Sequence, residues 1–200
     1  SRKVRGTYVA ICTGAMERPV PFPGWTLPGV MTCGGMSNLY KDSGLVPTDP
    51  VVLAGSGPLL WLVAEHLLAL SVRIAALLDT APVSNSFMAL QEMPAAVRRA
   101  DFLFKGMKMI GAVYNDARRK KVPIYRNVKG LRAEGSEKLE RVLGTSGKKE
   151  LSFETTTLFV TEGIIPNSNL LRQGGCTHQW DSVQRYWHPA VGRNGSSNLD

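Results

Sequence analysis

The sequence predicts an α/β fold, in which helices cover a parallel sheet and a small antiparallel sheet is attached to it. Residues 50–79 run in order as an apolar strand, a glycine-containing turn, an apolar helix, a second strand and an acid. This order is typical of a βαβ unit, which takes roughly 30 residues. Farther along, several short β-forming segments follow one another without a helix between them, which favours an antiparallel meander.

The elements of the βαβ unit are separated by clear breaks. Residues 50–54 are an apolar run typical of a buried strand, and the turn Gly55-Ser56-Gly57-Pro58 follows it directly. The helix predicted over 59–70 is apolar on most of its sides, so we expect it to be buried between two layers. The second strand, predicted over 72–78, leads into Asp79.

Proline, glycine and apolar runs delimit the remaining elements. Residues 6–12 are apolar and rich in β-forming types, which predicts a buried strand that ends at Cys12. Residues 19–29 contain four prolines, which exclude a helix or a central strand. The other predicted elements are a helix over 31–44, a helix over 95–119, short strands over 122–126, 128–133 and 139–143, a longer strand over 150–160, and a loop-rich tail from residue 161.

Composition and charge describe a folded, basic protein. The chain has 200 residues, of which 44% are hydrophobic and 20% charged, so a disordered chain and a coiled coil are excluded. The net charge is +8, with one dense run at Arg118, Arg119, Lys120 and Lys121. This run closes a predicted helix, where cations complement the dipole, and a docking surface for a partner subunit is the alternative. Basic and aromatic residues do not cluster, so no nucleic-acid partner is predicted.

Cysteine usage and hydropathy indicate the compartment. Cys12, Cys33 and Cys176 are too few and too scattered for a disulfide framework, so we expect reduced thiols and a cytoplasmic location. The most apolar stretch, residues 51–78, is interrupted by glycine, proline and charged residues, and falls short of the roughly 20 apolar residues of a membrane span. The first residue is Ser rather than Met, and we expect a fragment of a longer protein.

The turn at residues 55–58 has the chemistry of an anion-binding site. Gly55 and Gly57, with Ser56 between them, match the first two glycines of GxGxxG, which allow a tight turn and the approach of a pyrophosphate. The helix that follows offers its free N–H groups, and Pro58 fits its first turn. Leu60 replaces the third glycine and is expected to push the helix outward, so the site is either a surviving anion site or a relic.

Asp79 completes this candidate site. It lies 24 residues after Gly55, at the end of the second strand, where an acid accepts the ribose hydroxyls of a nucleotide. A carboxylate there favours NAD or an adenine nucleotide over NADP, whose 2′-phosphate it repels. The predicted cofactor-binding residues of this Rossmann-like unit are therefore Gly55, Ser56, Gly57, Pro58 and Asp79. The alternative is a structural turn, with Asp79 capping the loop that follows.

Cysteine and histidine residues form neither a redox motif nor a metal motif. Cys33 and Met36 have the spacing of a redox Cys-x-x-Cys, but a thioether cannot close a disulfide, which argues against a disulfide reductase. Cys33 is expected to be a small buried residue at a helix start. Cys176, His178 and His188 lack the second Cys pair of a zinc site, so no metal is predicted.

Two longer motifs flank the βαβ unit and carry a resemblance. Residues 13–19 (TGAMERP), with Pro23-Gly24 following, resemble the segment through which two-dinucleotide-binding-domain flavoproteins leave their FAD domain for an inserted NAD-type domain. Residues 163–170 (GIIPNSNL) resemble the returning segment. The resemblance implies an FAD-domain stub and crossing segment over 1–30, an inserted NAD(P)-type Rossmann-like domain over 31–162, and a return segment over 163–200.

Within this pyridine nucleotide-disulfide oxidoreductase-like superfamily, the chain is most similar to the FAD-containing subunit of opine (octopine and nopaline) oxidases. Hydrogen cyanide synthase and the α-type subunits of D-hydroxyproline, proline and sarcosine dehydrogenases are close relatives. The residues that point there are GAMERPVPFPGWTLPGV at 14–30, LLDT at 77–80 and WDSVQRYWHP at 180–189.

The resemblance implies part of an FAD-dependent oxidoreductase that acts on amine or opine C–N bonds together with a second oxidoreductase subunit. Thr13 and Gly14 would form its FAD-facing edge. The glycine motif and the Gly-Asp pair that hold FAD in this superfamily are missing, so the chain is expected neither to bind FAD stably nor to be active alone. No general base or nucleophile is visible, so no catalytic residue is predicted. A non-catalytic scaffold with a relic dinucleotide site, docking a partner subunit, is the alternative.

Overall fold

The computed structural model describes residues 6–82 and 100–198. Within this range the chain forms two compact units, one of residues 19–163 and one of residues up to 18 together with those from 164 onward. The helices are α1 (Cys33–Ser43), α2 (Pro58–Ala69), α3 (Ala100–Arg119) and α4 (Asn169–Gln173). The strands are β1 (Ala15–Glu17), β2 (Val30–Thr32), β3 (Val51–Gly55), β4 (Ile74–Asp79), β5 (Ile124–Tyr125), β6 (Val128–Glu134), β7 (Arg141–Ser146), β8 (Lys149–Glu154), β9 (Leu158–Thr161), β10 (Ile164–Pro166), β11 (His178–Asp181) and β12 (Tyr186–Pro189).

A five-stranded sheet forms the centre of the larger unit. Its order is β2-β9-β3-β4-β5, and every neighbouring pair runs parallel. A separate three-stranded sheet, β6-β7-β8, is antiparallel throughout. The predicted α/β fold, with a parallel sheet and a small antiparallel meander, is therefore confirmed.

Apolar side chains cover both faces of the parallel sheet. Along β3, Val51 and Leu53 join one core while Val52 and Ala54 join the other, because successive side chains of a strand point to opposite faces. The first core includes residues of α1, α2 and α3, and the second includes residues of the meander. A strand buried on both faces needs an unbroken apolar run, which explains the sequence pattern of residues 51–54.

Helix α2 packs between the sheet and α3, so the prediction of a helix buried between two layers is confirmed. Leu60, Val63 and Leu67 are fully buried in the first core. Trp61 stacks on Tyr114 of α3, with ring centroids 5.5 Å apart. Such an aromatic pair is worth about 0.5–1.5 kcal/mol beyond the area that it buries.

The other predicted helices also form, with shifted ends. Thr32 caps α1 by accepting a hydrogen bond from the Gly35 N–H at 3.1 Å, and Gly44 ends the helix by donating its N–H to Tyr40 at 2.8 Å. Residues 30–32, directly before α1, form the short strand β2, which the β-propensity of these residues did not predict. Helix α3 ends at Arg119 as predicted, and residues 95–99 of its predicted range lie outside the described residues. Within the described range, no helix has the length and hydropathy to cross a membrane.

The proline-rich segment over 19–29 lies against the meander. Phe22 and Leu27 pack on the second core. The carbonyl of Pro23 accepts the Ala133 N–H at 2.9 Å, and the carbonyl of Pro28 accepts the Leu139 N–H at 2.8 Å. The segment contains neither helix nor strand, as its prolines require.

The single strand predicted over 150–160 is wrong. β8 ends at Glu154 in the meander, and β9 begins at Leu158 in the parallel sheet. Between them the buried hydroxyl of Thr155 donates to the Pro50 carbonyl at 2.8 Å and accepts the Thr157 N–H at 3.1 Å. Threonine favours extended structure on either side of this crossing, so local propensity does not reveal a change of sheet.

Three other sequence predictions need correction. Residues 6–12 form no strand, and Cys12 is exposed rather than buried. None of the described residues pairs with this segment, and an apolar run becomes a buried strand only where neighbouring strands satisfy its backbone. β5 pairs with β4 in the parallel sheet instead of joining the meander. The tail predicted as loop-rich contains β10, α4, β11 and β12.

The smaller unit is built from two antiparallel strand pairs. β1 pairs with β10, and β11 pairs with β12 as a hairpin. Trp180 and Trp187 lie directly opposite each other in the hairpin, with ring centroids 5.6 Å apart, and each is about half exposed. The Asp181 carboxylate accepts the N–H groups of Val183 and Gln184 at 2.9 and 2.8 Å, which closes the hairpin turn.

The crossing between the two sheets can be tested at neighbouring threonines. Thr155→Val keeps the side-chain volume but removes the hydrogen bonds of a buried hydroxyl, so we expect a loss of about 1–3 kcal/mol in the free energy of unfolding. Thr156 is exposed, and Thr156→Val should change this free energy by no more than about 0.5 kcal/mol. Urea unfolding followed by circular dichroism measures both, and equal losses would contradict the role given to Thr155.

Candidate functional site

The glycine turn lies at the carboxyl edge of the parallel sheet, where three neighbouring strands end. The last residue of β3, Gly55, is in register with Asp79 at the end of β4 and with Thr161 at the end of β9. Backbone hydrogen bonds tie these ends together: Thr80 donates its N–H to Gly55 at 2.9 Å, and Ser56 donates its N–H to Thr161 at 2.8 Å. The fold therefore brings five predicted site residues, Gly55, Ser56, Gly57, Pro58 and Asp79, to one edge.

Gly55 is required by close packing as well as by its backbone conformation. Its φ is +133°, and a Cβ at this position would lie 1.8 Å from the carbonyl oxygen of Thr161. No side chain fits at that distance, because the neighbouring atoms belong to the backbone of β9. The first glycine of the pattern is thus explained by the sheet itself, without a ligand.

Gly57 has a different reason to be glycine. Its φ of +86° and ψ of 179° lie in a region that only glycine adopts readily, yet nothing lies within 4 Å of the place of its missing Cβ. It is the N-cap of α2, where no side chain makes a capping hydrogen bond, and Pro58 follows in the first turn. The first N–H groups of the helix thus have no side-chain cap and lie beside open space, which is the geometry of an anion site.

Leu60 stands where the third glycine of the pattern would be. Its side chain is fully buried and belongs to the first core, together with Leu53 of β3 and Leu67 of α2. The position is therefore filled by core packing. The structure gives this leucine a stabilising role in the layer between α2 and the sheet.

Asp79 is placed where a ribose-binding acid is expected, at the end of β4. Its Oδ1 atom already accepts the N–H of Ala81 at 3.0 Å. This short-range bond shapes the loop that leaves the strand, as in the structural alternative drawn from the sequence. The second carboxylate oxygen makes no hydrogen bond to any described residue. Among the described residues, Asp79 therefore binds only its own loop.

Glu162 is the residue of this edge that sequence reasoning missed. It follows the last residue of β9, and both of its carboxylate oxygens are engaged: Ser56 Oγ donates to Oε2 at 2.7 Å and Thr80 Oγ1 donates to Oε1 at 2.8 Å. The three groups are partly buried. Its sequence signal was an acid directly after a β-forming run, but the run was assigned to a single long strand, so the acid was not placed at this edge.

Thr13 and Gly14, the predicted FAD-facing residues, belong to the smaller unit. Thr13 Oγ1 donates to the carbonyl of Asn167 at 2.5 Å, and the Asn167 N–H donates to Gly14 at 3.0 Å. Beyond them Ala15 is in register with Pro166. The outgoing motif at 13–19 and the returning motif at 163–170 therefore lie side by side as paired strands.

The cysteine and basic residues singled out in the sequence have structural contacts. Cys33 is fully buried at the start of α1 and shares the first core with Met36, as expected. Lys120 Nζ donates to the carbonyl of Leu68 at 2.5 Å, near the end of α2, where a cation is favourable. Arg118 is exposed. In the part of the chain that the structure describes, no three His, Cys, Asp or Glu side chains are grouped as metal ligands.

A parallel sheet with a glycine turn leading into a buried helix defines a dinucleotide-binding type of α/β domain. Solved structures share this fold. Bacillithiol disulfide reductase Bdr (YpdA) from Staphylococcus aureus matches 94% of this chain and 50% of its own, with a TM-score of 0.59 at 11% identity. The HOCl-induced flavoprotein disulfide reductase RclA from Escherichia coli matches 94% of this chain and 36% of its own, with a TM-score of 0.57 at 16% identity. Identities this low establish the fold alone.

The chain is similar in sequence to part of the A-subunit of opine oxidase, which confirms the resemblance found in the sequence. It is 34% identical to the Rhizobium meliloti protein over 198 residues, covering 99% of this chain and 36% of the relative. It is 35% identical to the Agrobacterium tumefaciens protein over 195 residues, or 98% of this chain and 38% of the relative. Hydrogen cyanide synthase subunit HcnB of Pseudomonas aeruginosa is 32% identical over 184 residues, or 88% of this chain and 38% of the relative.

The matched region is a part of these relatives. The chain spans between 36% and 41% of the length of the curated relatives that it matches. No protein-family model matches it.

The two glycines of the turn differ in their tolerance of a side chain. Gly57→Ala introduces backbone strain of about 1–3 kcal/mol without a clash. Gly55→Ala adds a clash with the backbone of β9, so we expect it to cost about 1–3 kcal/mol more. Thermal unfolding of the two variants beside the wild type measures the difference. An equal loss of stability would show that close packing against Thr161 is not what fixes glycine at residue 55.

Proposed function

We propose that this chain is the inserted nucleotide-type domain, with its flanking strands, of an FAD-dependent oxidoreductase that oxidises amine- or opine-type C–N bonds. The similarity to the opine oxidase A-subunit over 99% of the chain carries the proposal. The pairing of Thr13 and Gly14 with Asn167 supports it, because an inserted domain requires its outgoing and returning segments to lie together. The proposed substrates are amines or opines, and electrons leave through the flavin.

The chemistry of such an enzyme comes from the flavin, which accepts electrons from the C–N bond. This chain supplies only part of what holds a flavin. The sequence contains one Gly-x-Gly motif, at residues 55–57. This motif directly precedes α2 in the proposed inserted domain. Thr13 and Gly14 are proposed as the flavin-facing edge, with Asn167 holding them in place. The cradle for FAD would then belong to other parts of the complete protein.

A second candidate function is a non-catalytic scaffold within the same enzyme. The contact of Glu162 with Ser56 favours it, since a carboxylate already lies on the turn that would bind a pyrophosphate. In this role the larger unit supports the other parts of the enzyme and binds a second oxidoreductase subunit. The relatives are named as subunits, and we propose a partner for this chain on that ground.

The scattered cysteines favour a cytoplasmic enzyme.

A chimera tests the proposed activity. Residues of the R. meliloti opine oxidase A-subunit that match this chain are replaced by it, and the chimera is produced with the partner subunit of that enzyme. We expect the chimera to retain flavin and to reduce an artificial dye when octopine or nopaline is added. A chimera carrying Thr13→Val, which removes the hydroxyl that donates to the Asn167 carbonyl, should retain less flavin because the paired segments are held less tightly.

Two results separate the outcomes of that experiment. The unmodified relative sets the full rate, and a chimera with the matched segment deleted sets the background. A chimera that binds flavin at full occupancy but reduces no dye with opines, proline, glycine or sarcosine would contradict the proposed function.

The chain by itself should not retain FAD, because one glycine turn cannot serve two dinucleotide domains. We expect the purified chain to show no flavin absorbance band after incubation with FAD and gel filtration. The complete R. meliloti relative, treated in the same way, is the positive control. A yellow chain with stoichiometric flavin would show that the residues present suffice to hold FAD.

A further inference from the structure

The carboxylate of Glu162 lies at the point of the fold where a doubly wound sheet binds its ligand. The chain passes from β3 to β4 and then β5 on one side, while β9 and β2 lie on the other side of β3. The crevice outside the carboxyl ends at such a reversal of strand order is the usual ligand site. Glu162 follows β9 immediately, so its backbone lies at one wall of this crevice and the glycine turn at the other.

The side chain reaches across the end of β3 instead of pointing to solvent. Its two oxygens accept hydrogen bonds from Ser56, in the glycine turn, and from Thr80, just after β4. Distances of 2.7 and 2.8 Å are typical of well-formed O–H···O hydrogen bonds. One carboxylate therefore connects β9, β3 and β4 through side chains, in addition to the backbone bonds that already join them.

This arrangement removes two features that a pyrophosphate needs. The Ser56 hydroxyl, a donor inside the turn, is already bound to Glu162. A negative charge is held beside the N-terminus of α2, and like charges in a partly buried site repel strongly. Within residues 6–82 and 100–198, no Lys or Arg forms an ion pair with Glu162.

The other features of the turn remain compatible with a nucleotide. Gly57 has open space beside it, and the first turn of α2 has no side-chain cap. Leu60 is buried in the core, and one carboxylate oxygen of Asp79 has no hydrogen-bond partner among the described residues. The obstacle is therefore a single side chain rather than the loss of the whole site.

We propose that Glu162 determines ligand class at the glycine turn: held by Ser56 and Thr80, it occupies the anion position and excludes nucleotides that carry a pyrophosphate. The domain keeps the dinucleotide fold while its own carboxylate takes the place of the phosphate. This inference concerns the turn alone. It holds or fails independently of whether the complete protein oxidises opines.

Isothermal titration calorimetry of the full chain with ADP, and separately with NAD⁺, tests the proposal. The wild type should show no saturable binding. Glu162→Gln removes the charge and leaves one acceptor for the hydroxyls, and Glu162→Ala also removes the side chain. At least one of them should bind ADP with a Kd at least tenfold below the limit set by the wild type. Adding Asp79→Ala to the binding variant should weaken binding again, because the ribose then loses its acceptor.

Glu150→Gln is the matched control, since it removes one negative charge from an exposed position of β8. It should behave as the wild type does, which separates a local effect of Glu162 from a change in net charge. Circular dichroism melting identifies the variants that remain folded. Saturable binding of ADP or NAD⁺ to the wild type, within threefold of the Glu162 variants, would overturn the proposal. So would the absence of binding in a folded Glu162→Gln or Glu162→Ala protein.

Discussion

The burial of β3 on both faces is the constraint on which the larger unit depends. Each of its five residues is buried, and each edge of the strand is paired with a parallel neighbour. A strand in that position has no polar face and no free edge, so helices must cover one side and the meander the other. At its carboxyl end the chain turns out of the core. The tight turn at Gly55 is the result, and Thr161 leaves no room for a side chain there.

The same constraint concentrates chemistry at one edge. β9, β3 and β4 all end together, so a residue just after any of them joins the same small group. Ser56, Asp79, Thr80 and Glu162 meet for this reason, although more than 80 residues separate Thr80 from Glu162 along the chain. The hydroxyls satisfy the carboxylate of Glu162, and Asp79 binds its own loop. The carboxyl edge of the sheet has the geometry of an anion site, and the carboxylate of Glu162 lies there.

What this chain shares with disulfide reductases is the fold. The structures of two such reductases match most of this chain at identities of 11% and 16%. Cys33 begins a helix, as a redox cysteine would, but the residue three positions later is Met36, and both are buried in the core beneath α1. Two side chains in that environment contribute packing, not thiol exchange, since exchange needs an accessible thiolate and a second sulfur that can form a disulfide. The closer similarity, at 31–37% identity, is to subunits of opine oxidase and hydrogen cyanide synthase.

The βαβ unit, the glycine turn, Asp79 and the resemblance to opine oxidase subunits could all be predicted from the sequence. These depend on local patterns: an apolar run, a glycine pair, a helix start and motifs of contiguous residues. Tertiary contacts were needed to establish that residues 150–160 change sheets at Thr155, that residues 6–12 lack a strand partner among the described residues, and that Glu162 reaches Ser56 and Thr80. Each of these outcomes depends on which distant segment lies alongside, and pairing between distant strands leaves no mark on either segment alone.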